Sequence, residues 1–267
     1  MNLNLSPVWI TGFSAGMGLL FGSFATVLVS RVPQKKSIIK PASHCPHCKT
    51  PIRWFHNIPV LGYLIQQGKC ASCKKEISVR YPLIELLTML LFVTCAQKFG
   101  VDLGLFLRDW VFMVLLISIA FIDLEHRIIP DRLSLPGLAW GLLTSPLNDQ
   151  PGWMQSLIGA ALGFGIFYAL AWFYQWRTGR SGLGGGDIKF LAMLGAYVGP
   201  MGVLQTILIS SVLGSVVGIF VGWVSTRGVK NGSLMKTSIP YGPFLAVGAL
   251  AAYLLGEILW TPYLNPT

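Results

Sequence analysis

The stretch GLGGGDIKFLAMLGAYVG, residues 182–199, places three consecutive glycines and one acid, Asp187, at the start of an apolar run. Carboxylates are costly inside a bilayer, so an acid at the mouth of an apolar segment is a candidate for function. Glycine adopts backbone conformations that other residues avoid and lets a second chain approach closely. The stretch therefore predicts a membrane helix that begins with a functional carboxylate beside an irregular loop.

The composition of the whole chain also indicates a membrane protein. Hydrophobic residues make up 53% of the 267 residues, and charged residues make up only 11%, whereas a soluble domain has roughly a quarter of its residues charged. The apolar stretches cover residues 8–29, 83–97, 103–122, 133–147, 154–176, 188–198, 203–224 and 239–260. A helix of ~20 residues crosses a hydrocarbon core of ~30 Å. The expected fold class is therefore an all-α polytopic membrane protein with about eight transmembrane helices.

The positions of Lys and Arg predict how these helices are oriented. Half of the 20 basic residues lie in one polar segment, residues 31–82, and basic loops stay on the cytoplasmic side. Eight spans place all the other basic residues on that same side, except Lys98 and Arg108. We expect both termini on the opposite side. The expected organisation is a first transmembrane helix (1–30), a small cytoplasmic domain (31–82) and a membrane-embedded domain of about seven helices (83–267).

Four cysteines in the polar segment predict a zinc site. They form two C-x2-C pairs, CPHC and CASC, which are Cys45, Cys48, Cys70 and Cys73. Two such pairs fit the tetrahedral coordination of a zinc ion, and four thiolates leave no open position for a reacting water. The expected zinc is therefore structural. Two disulfides or free thiols are the alternatives, and the reducing cytoplasm argues against the disulfides.

Two aspartates are expected at the same depth in the membrane. Asp123 ends the third apolar stretch, about 21 Å at 1.5 Å per residue from Arg108 and Asp109, where this span is expected to meet the outer surface. Asp187 begins the sixth stretch, about 18 Å from the turn that ends it. Two carboxylates held close together share a proton, so that one activates a water and the other protonates a scissile carbonyl. The pair predicts an aspartic protease.

The glycines beside Asp187 have two interpretations. Irregular backbone at membrane depth is tolerated where it lines a wet cavity, so Gly184, Gly185 and Gly186 are expected to form a floor for an extended peptide substrate. The alternative for this stretch alone is a flexible loop with Asp187 as the cap of the following helix.

Two further charged residues are candidates for substrate binding. Glu85, in the second apolar stretch, is expected to receive an amine or a basic residue of the substrate, with an ion pair to Arg80 as the alternative. Lys189, two residues after Asp187, is expected to act on that carboxylate, with extension to the lipid headgroups as the alternative.

Four blocks of the sequence, in this order, resemble the type IV prepilin peptidases. The blocks are GSFATVLVSRVP at residues 22–33, the four-cysteine block from SHCPHC to ELLT at residues 43–88, FIDLEHRIIPD at residues 121–131, and GLGGGDIKFLAMLGA at residues 182–196. The last block is similar to the GxGD motif of that family. The resemblance extends over nearly the whole chain.

The resemblance implies a bifunctional enzyme of the bacterial inner membrane, with periplasmic termini. Such an enzyme cleaves the basic leader of prepilins or of type II secretion pseudopilins at the cytoplasmic face. It then methylates the new N-terminal residue with S-adenosylmethionine. The resemblance assigns catalysis to Asp123 and Asp187 and zinc binding to the four cysteines. The expected partners are these substrates and the lipid bilayer, with no nucleic acid.

Three alternatives accompany this expectation. Ala25 and Thr26 stand where the family usually has Leu and Asn, in the region usually associated with methyl transfer. The first alternative is therefore a leader peptidase without methyltransferase activity. The second is a GxGD membrane protease of other specificity. The third is a membrane transporter or scaffold with a zinc domain, in which the acids relay protons.

Overall fold

The structure is a computed structural model that describes residues 6–102, 104–147, 151–180, 182–228 and 240–264. In this part of the chain the regular structure is helical, and the extended pairings are two isolated β-bridges. The chain divides into two compact units, Met1–Ser118 and Ile119–Thr267.

The described residues form eight α-helices. They are α1 (Pro7–Arg31), α2 (Leu61–Ile65), α3 (Arg80–Phe99), α4 (Trp110–His126), α5 (Asp131–Thr144), α6 (Trp153–Thr178), α7 (Gly185–Gly228) and α8 (Gly242–Leu264). Apart from the short α2, each overlaps an apolar stretch of the sequence, and α7 contains two. Helices α1, α3, α6 and the Gly185–Trp223 part of α7 are long and apolar enough to cross a membrane. The expected class, an all-α polytopic membrane protein, is confirmed.

Helix α7 consists of two membrane helices joined at Gly199. Gly199 has φ 70° and ψ −178°, outside the helical region. A straight helix of 44 residues would be about 66 Å long, twice the hydrocarbon thickness. Before the break, Asp187 interacts with Asp123 through its charge. Beyond the break, a Cβ atom on Gly214 would lie 3.6 Å from the ring of Tyr241, which precedes the residue bonded to Asp123. The chain therefore turns back at Gly199.

In the first unit, α1 and α3 pack closely because glycines of α1 face α3. A Cβ atom on Gly18 would lie 2.5 Å from Cα of Met89, and one on Gly22 would lie 2.7 Å from Cα of Glu85. Small residues four positions apart let membrane helices approach backbone to backbone. In chain order, the four-cysteine segment, which includes α2, lies between α1 and α3.

In the second unit, the first half of α7 is held between α5 and α6. Gly159 of α6 and Gly195 of α7 face each other so closely that a Cβ atom on either would meet the carbonyl oxygen of the other. On the α5 side, the hydroxyl of the buried Tyr197 donates a hydrogen bond of 3.2 Å to the carbonyl of Gly137. These contacts fix the helix that begins beside Asp187.

Candidate active site

Asp123 lies near the C-terminal end of α4 and is 5% exposed. Its Oδ2 atom accepts a hydrogen bond of 2.9 Å from the backbone N–H of Gly242, the first residue of α8. A Cβ atom at position 242 would lie 2.7 Å from that oxygen, so a side chain there would displace the Asp123 carboxylate. The N-terminal end of a helix also favours a negative charge. The start of α8 therefore anchors the Asp123 carboxylate.

Asp187 lies in the first turn of α7 and is partly buried. Its backbone N–H donates a hydrogen bond of 3.1 Å to the carbonyl of Gly184. The carboxylate is near enough to Asp123 for the two charges to act on each other. The second unit thus brings together the two aspartates that were expected at one depth, and their catalytic role stays a prediction.

The three glycines before Asp187 have different surroundings. A Cβ atom on Gly184 would lie 2.9 Å from Oδ2 of Asp187, and one on Gly186 would lie 2.9 Å from Cβ of Ile129, in the loop between α4 and α5. A Cβ atom on Gly185 would have nothing within 4 Å. A side chain at Gly184 would displace the Asp187 carboxylate, and one at Gly186 would press on Ile129, whereas Gly185 faces open space. The predicted floor for a peptide has its open side at Gly185.

Lys189 contacts the loop that follows the first aspartate. Its Nζ atom donates a hydrogen bond of 2.7 Å to Oδ2 of Asp131, the first residue of α5. The two side chains are 38% and 54% exposed, and exposed ion pairs contribute at most about 1 kcal/mol. The pair therefore matters mainly for position, because it ties the start of α7 to the start of α5.

Glu85 lies in the first unit and is 7% exposed. Its Oε2 atom accepts a hydrogen bond of 2.7 Å from the backbone N–H of Val60, in the four-cysteine segment. The aspartate pair belongs to the second unit. Glu85, expected to bind substrate, thus has a partner within its own unit.

The contact between Gly242 and Asp123 was missed by sequence reasoning, as was the neighbouring Tyr241. The hydroxyl of Tyr241 lies 2.9 Å from Oγ of Ser210, in the second half of α7. The signal was the sequence PYGP at residues 240–243, where Tyr241 and Gly242 stand between two prolines at the start of the last apolar stretch.

The four cysteines converge in the first unit, and their thiol groups are free. Their sulfur atoms all lie within 4.8 Å of one another, with 3.8 Å between Cys45 and Cys73 and 4.0 Å between Cys48 and Cys70. Four sulfurs at about 2.3 Å from a tetrahedral zinc ion are about 3.8 Å apart. The cluster therefore fits a metal ion, and these separations are too long for disulfides.

The electrostatics of the cluster also favour a cation. Hydrogen bonds from the hydroxyl and the backbone N–H of Thr50 lower the pKa of Cys48 to about 6. Backbone N–H groups of Cys73 and Ser72 lower the pKa of Cys70. The N–H of Lys75 lowers the pKa of Cys73, but burial and the neighbouring thiols outweigh it and raise that pKa to about 11. Thiolate is the metal-binding form, so a cation would let the crowded sulfurs ionise together.

Comparison with known proteins places the chain in a family. The bacterial peptidase A24 N-terminal domain matches residues 17–99, and the type IV leader peptidase family matches residues 110–219. A relative from Pseudomonas putida is 34% identical, and the alignment covers 97% of this chain and 95% of the relative. The chain belongs to the type IV leader peptidase family.

Other members of the type IV leader peptidase family are similar to this chain over different lengths. The relative from Pseudomonas aeruginosa is 35% identical over 93% of this chain and 91% of its own length. The relative from Myxococcus xanthus is 41% identical over 76% of this chain and 60% of its own length. These proteins and the one from Pseudomonas putida are each named prepilin leader peptidase/N-methyltransferase. No solved structure matches the chain.

The two matches include both candidate sites. The four cysteines fall within the N-terminal match, and Asp123 and Asp187 fall within the type IV leader peptidase match. Helix α8, which supplies Gly242, lies beyond it. Membership of this family of peptidases also decides against the transporter and scaffold alternative.

Proposed function

We propose that this member of the type IV leader peptidase family cleaves the short basic leader of prepilins or pseudopilins and methylates the new N-terminal residue. The proximity of Asp123 and Asp187 in the second unit is the observation that carries the peptidase half. The names of the three relatives support both halves.

The peptidase reaction uses one proton shared between the two aspartates. One carboxylate takes a proton from a water molecule, whose oxygen bonds to the scissile carbonyl carbon, while the other carboxyl group protonates the carbonyl oxygen. The tetrahedral intermediate collapses, the C–N bond breaks, and the leaving amine takes a proton from the pair. Gly242 holds Asp123 in place for both steps through its N–H.

The substrate lies along the glycines before Asp187. Gly185 offers the open side of that loop, so the leader passes over it in an extended form. Lys189 and Asp131 position the loop through their ion pair. Glu85, by contrast, acts within the first unit, where it binds the Val60 N–H.

The four-cysteine cluster holds zinc with a structural role. Cys45, Cys48, Cys70 and Cys73 supply four thiolates, which complete a tetrahedral coordination and stabilise a segment too small for a large core of its own. The methyl donor is S-adenosylmethionine, which supplies an electrophilic methyl group to the new amine. No residue of this chain is assigned to it.

The protein lies in the bacterial inner membrane, with the four-cysteine segment in contact with the cytoplasm and both termini periplasmic. The distribution of Lys and Arg supports this orientation. The functional parts are the first transmembrane helix (1–30), the four-cysteine domain (31–82) and the membrane-embedded protease domain (83–267).

A processing assay tests this function. The purified full chain, reconstituted in liposomes, is given a prepilin with an intact leader, with and without S-adenosylmethionine. Mass spectrometry of the product should show loss of the leader in both samples and one added methyl group only with the donor. An uncleaved prepilin would contradict the peptidase, and a cleaved but unmethylated product with the donor present would contradict the methyltransferase.

A further inference from the structure

The loop between the two cysteine pairs, residues 54–68, is apolar and exposed. No Lys, Arg, Asp or Glu occurs between Arg53 and Lys69. The exposed fractions of Leu61, Leu64 and Ile65 are 55%, 60% and 65%. A contiguous apolar surface of this kind marks a site of contact with protein or membrane. We refer to residues 54–68 as the apolar loop.

Val60, at the tip of the apolar loop, lies beside positions of α1 and α3 that are away from the ends of these helices. Val60 binds Glu85 through its N–H, and Glu85 packs against Gly22. At 1.5 Å per residue, Gly22 is about 13 Å along α1 from Arg31, and Glu85 is about 7 Å along α3 from Arg80. Both helices are long and apolar enough to cross a membrane. The tip therefore lies well inside the basic ends of the two helices.

A cavity of about 440 Å³ separates the apolar loop from α1. Its walls are apolar or glycine, and they include Ile58, Pro59 and Leu61 of the loop and Gly12, Gly16 and Leu20 of α1. Those three positions of α1 are even further from Arg31 than Gly22 is. The cavity is an open groove with an apolar lining, so at this level it suits a lipid acyl chain.

The backbone at the tip is paired, as a membrane environment requires. Leu61 donates a hydrogen bond of 2.6 Å from its N–H to the carbonyl of Pro59, which closes a γ-turn around Val60. Val60 has φ 61° and ψ −52°, a strained conformation for a β-branched residue. Its own N–H would have no partner within the turn, and the Glu85 carboxylate supplies one.

The base of the apolar loop is closed by Gln66. Its side-chain amide donates to the carbonyl of His56 at 3.1 Å and to the carbonyl of Gly62 at 2.9 Å. The N–H of Gly62 donates to the carbonyl of Ile58 at 2.7 Å. The loop thus satisfies several of its backbone groups by itself and presents its apolar side chains outward.

We propose that residues 54–68 form a re-entrant loop that enters the hydrocarbon of the bilayer beside α1 and α3, with Glu85 holding its tip. The occupant of the exposed apolar face is lipid acyl chain. The two cysteine pairs flank the loop and stay at the aqueous surface. The sequence suggested that the four-cysteine segment is a wholly aqueous domain. With a re-entrant loop, part of this segment lies in the membrane instead. The position of the loop in the bilayer does not depend on the proposed chemistry of the aspartates.

Two labels on the wild-type chain in proteoliposomes test the loop. A phospholipid with a photoactivatable diazirine on its acyl chain marks groups in hydrocarbon, and hydroxyl radicals mark groups in water. Ile65 and Ile39 are a matched pair, because they are 65% and 79% exposed and both lie in the polar segment. The lipid label should be higher on Ile65 than on Ile39. Oxidation by hydroxyl radicals should be higher on Ile39 than on Ile65. Equal oxidation of the two residues would overturn the proposal, as would absence of both labels from Ile65, which would mean that protein covers it.

Two substitutions test the role of Glu85 with the same labels. Glu85→Gln keeps an acceptor oxygen for the Val60 N–H and should keep the wild-type labelling pattern. Glu85→Leu removes the acceptor and should increase the oxidation of Leu61 and Ile65. If Glu85→Leu leaves the pattern unchanged, Glu85 does not hold the tip. If Glu85→Leu fails to accumulate, the wild-type comparison of Ile65 with Ile39 still decides whether the loop enters the bilayer.

Discussion

At the scale of single residues, the candidate site depends on a contact between atoms far apart in the chain. The N–H of Gly242 donates to Oδ2 of Asp123 at 2.9 Å. The same atoms leave no room for a side chain at position 242. The carboxylate orientation is therefore set by the backbone of α8, which cannot rotate away as a side-chain donor would. Proton transfer within an aspartate pair needs such fixed geometry.

Gly242→Ala should lower the rate of prepilin cleavage by about a hundredfold, since a small displacement of a reacting group has an effect of this size. Alanine keeps the N–H and places a methyl group at 2.7 Å from Oδ2. The measurement is the initial cleavage rate of folded protein in liposomes. The control is Gly165→Ala in α6, where a Cβ atom has nothing within 4 Å. A wild-type rate for Gly242→Ala would show that the contact does not matter.

At the scale of elements, the four-cysteine cluster is built from two copies of one turn. Each turn is closed by a hydrogen bond of 2.9 Å to the carbonyl of its first cysteine. The donor is the N–H of the residue after the second cysteine, so Lys49 binds Cys45 and Lys74 binds Cys70. Lys49 and Lys74 have the same φ, 59°. Matching β-bridges flank the two turns. The repeated geometry turns both pairs of sulfurs toward one point.

Cys73→Ser should abolish the binding of zinc, because a hydroxyl is a poor replacement for a thiolate ligand. The measurement is the zinc content of the purified chain by elemental analysis. Cys95→Ala is the matched control, since Cys95 is buried in α3 and does not belong to the cluster. We expect the control to keep an equimolar amount of zinc. Zinc retained in full by Cys73→Ser would mean that the metal lies elsewhere.

Helices α6 and α7 meet through glycine, so their packing should be sensitive to added volume. Gly159→Val would force the two backbones apart, and overpacking of this kind costs about 1–3 kcal/mol. We expect a lower midpoint of thermal unfolding in detergent than for Gly165→Val, which carries the same change in helix propensity on the exposed face of α6. Equal midpoints for the two variants would contradict the close contact of Gly159 with Gly195.

At the scale of the whole molecule, the sequence predicted those features that follow from local pattern. The apolar stretches predicted the helices, because a chain in lipid must satisfy its backbone hydrogen bonds internally. The spacing of the cysteines predicted their convergence, because zinc ligands have fixed geometry. Matched depth predicted a close pair of aspartates; the charge of Asp123 acts on Asp187, and the catalytic role of the two stays a prediction.

The sequence could not predict contacts that depend on the approach of distant segments. The bond from Gly242 to Asp123, the pair of Lys189 with Asp131, and the capping of Val60 by Glu85 are all of this kind. None of these contacts leaves a periodic pattern in the sequence. The hydrophobic residues of the apolar loop lie between charged residues in the sequence, and such a pattern predicts an aqueous segment.

The central claim is that Asp123 and Asp187 act together on one proton, and the most direct test is the cleavage rate of Asp123→Asn and Asp187→Asn. An amide has nearly the same shape as a carboxyl group and cannot exchange the proton. Both variants should fold and lose at least about a hundredfold in rate, as expected for a lost general acid or base, while Asp102→Asn, at an exposed position of the first unit, keeps the wild-type rate. A wild-type rate for either variant in the pair would contradict the account.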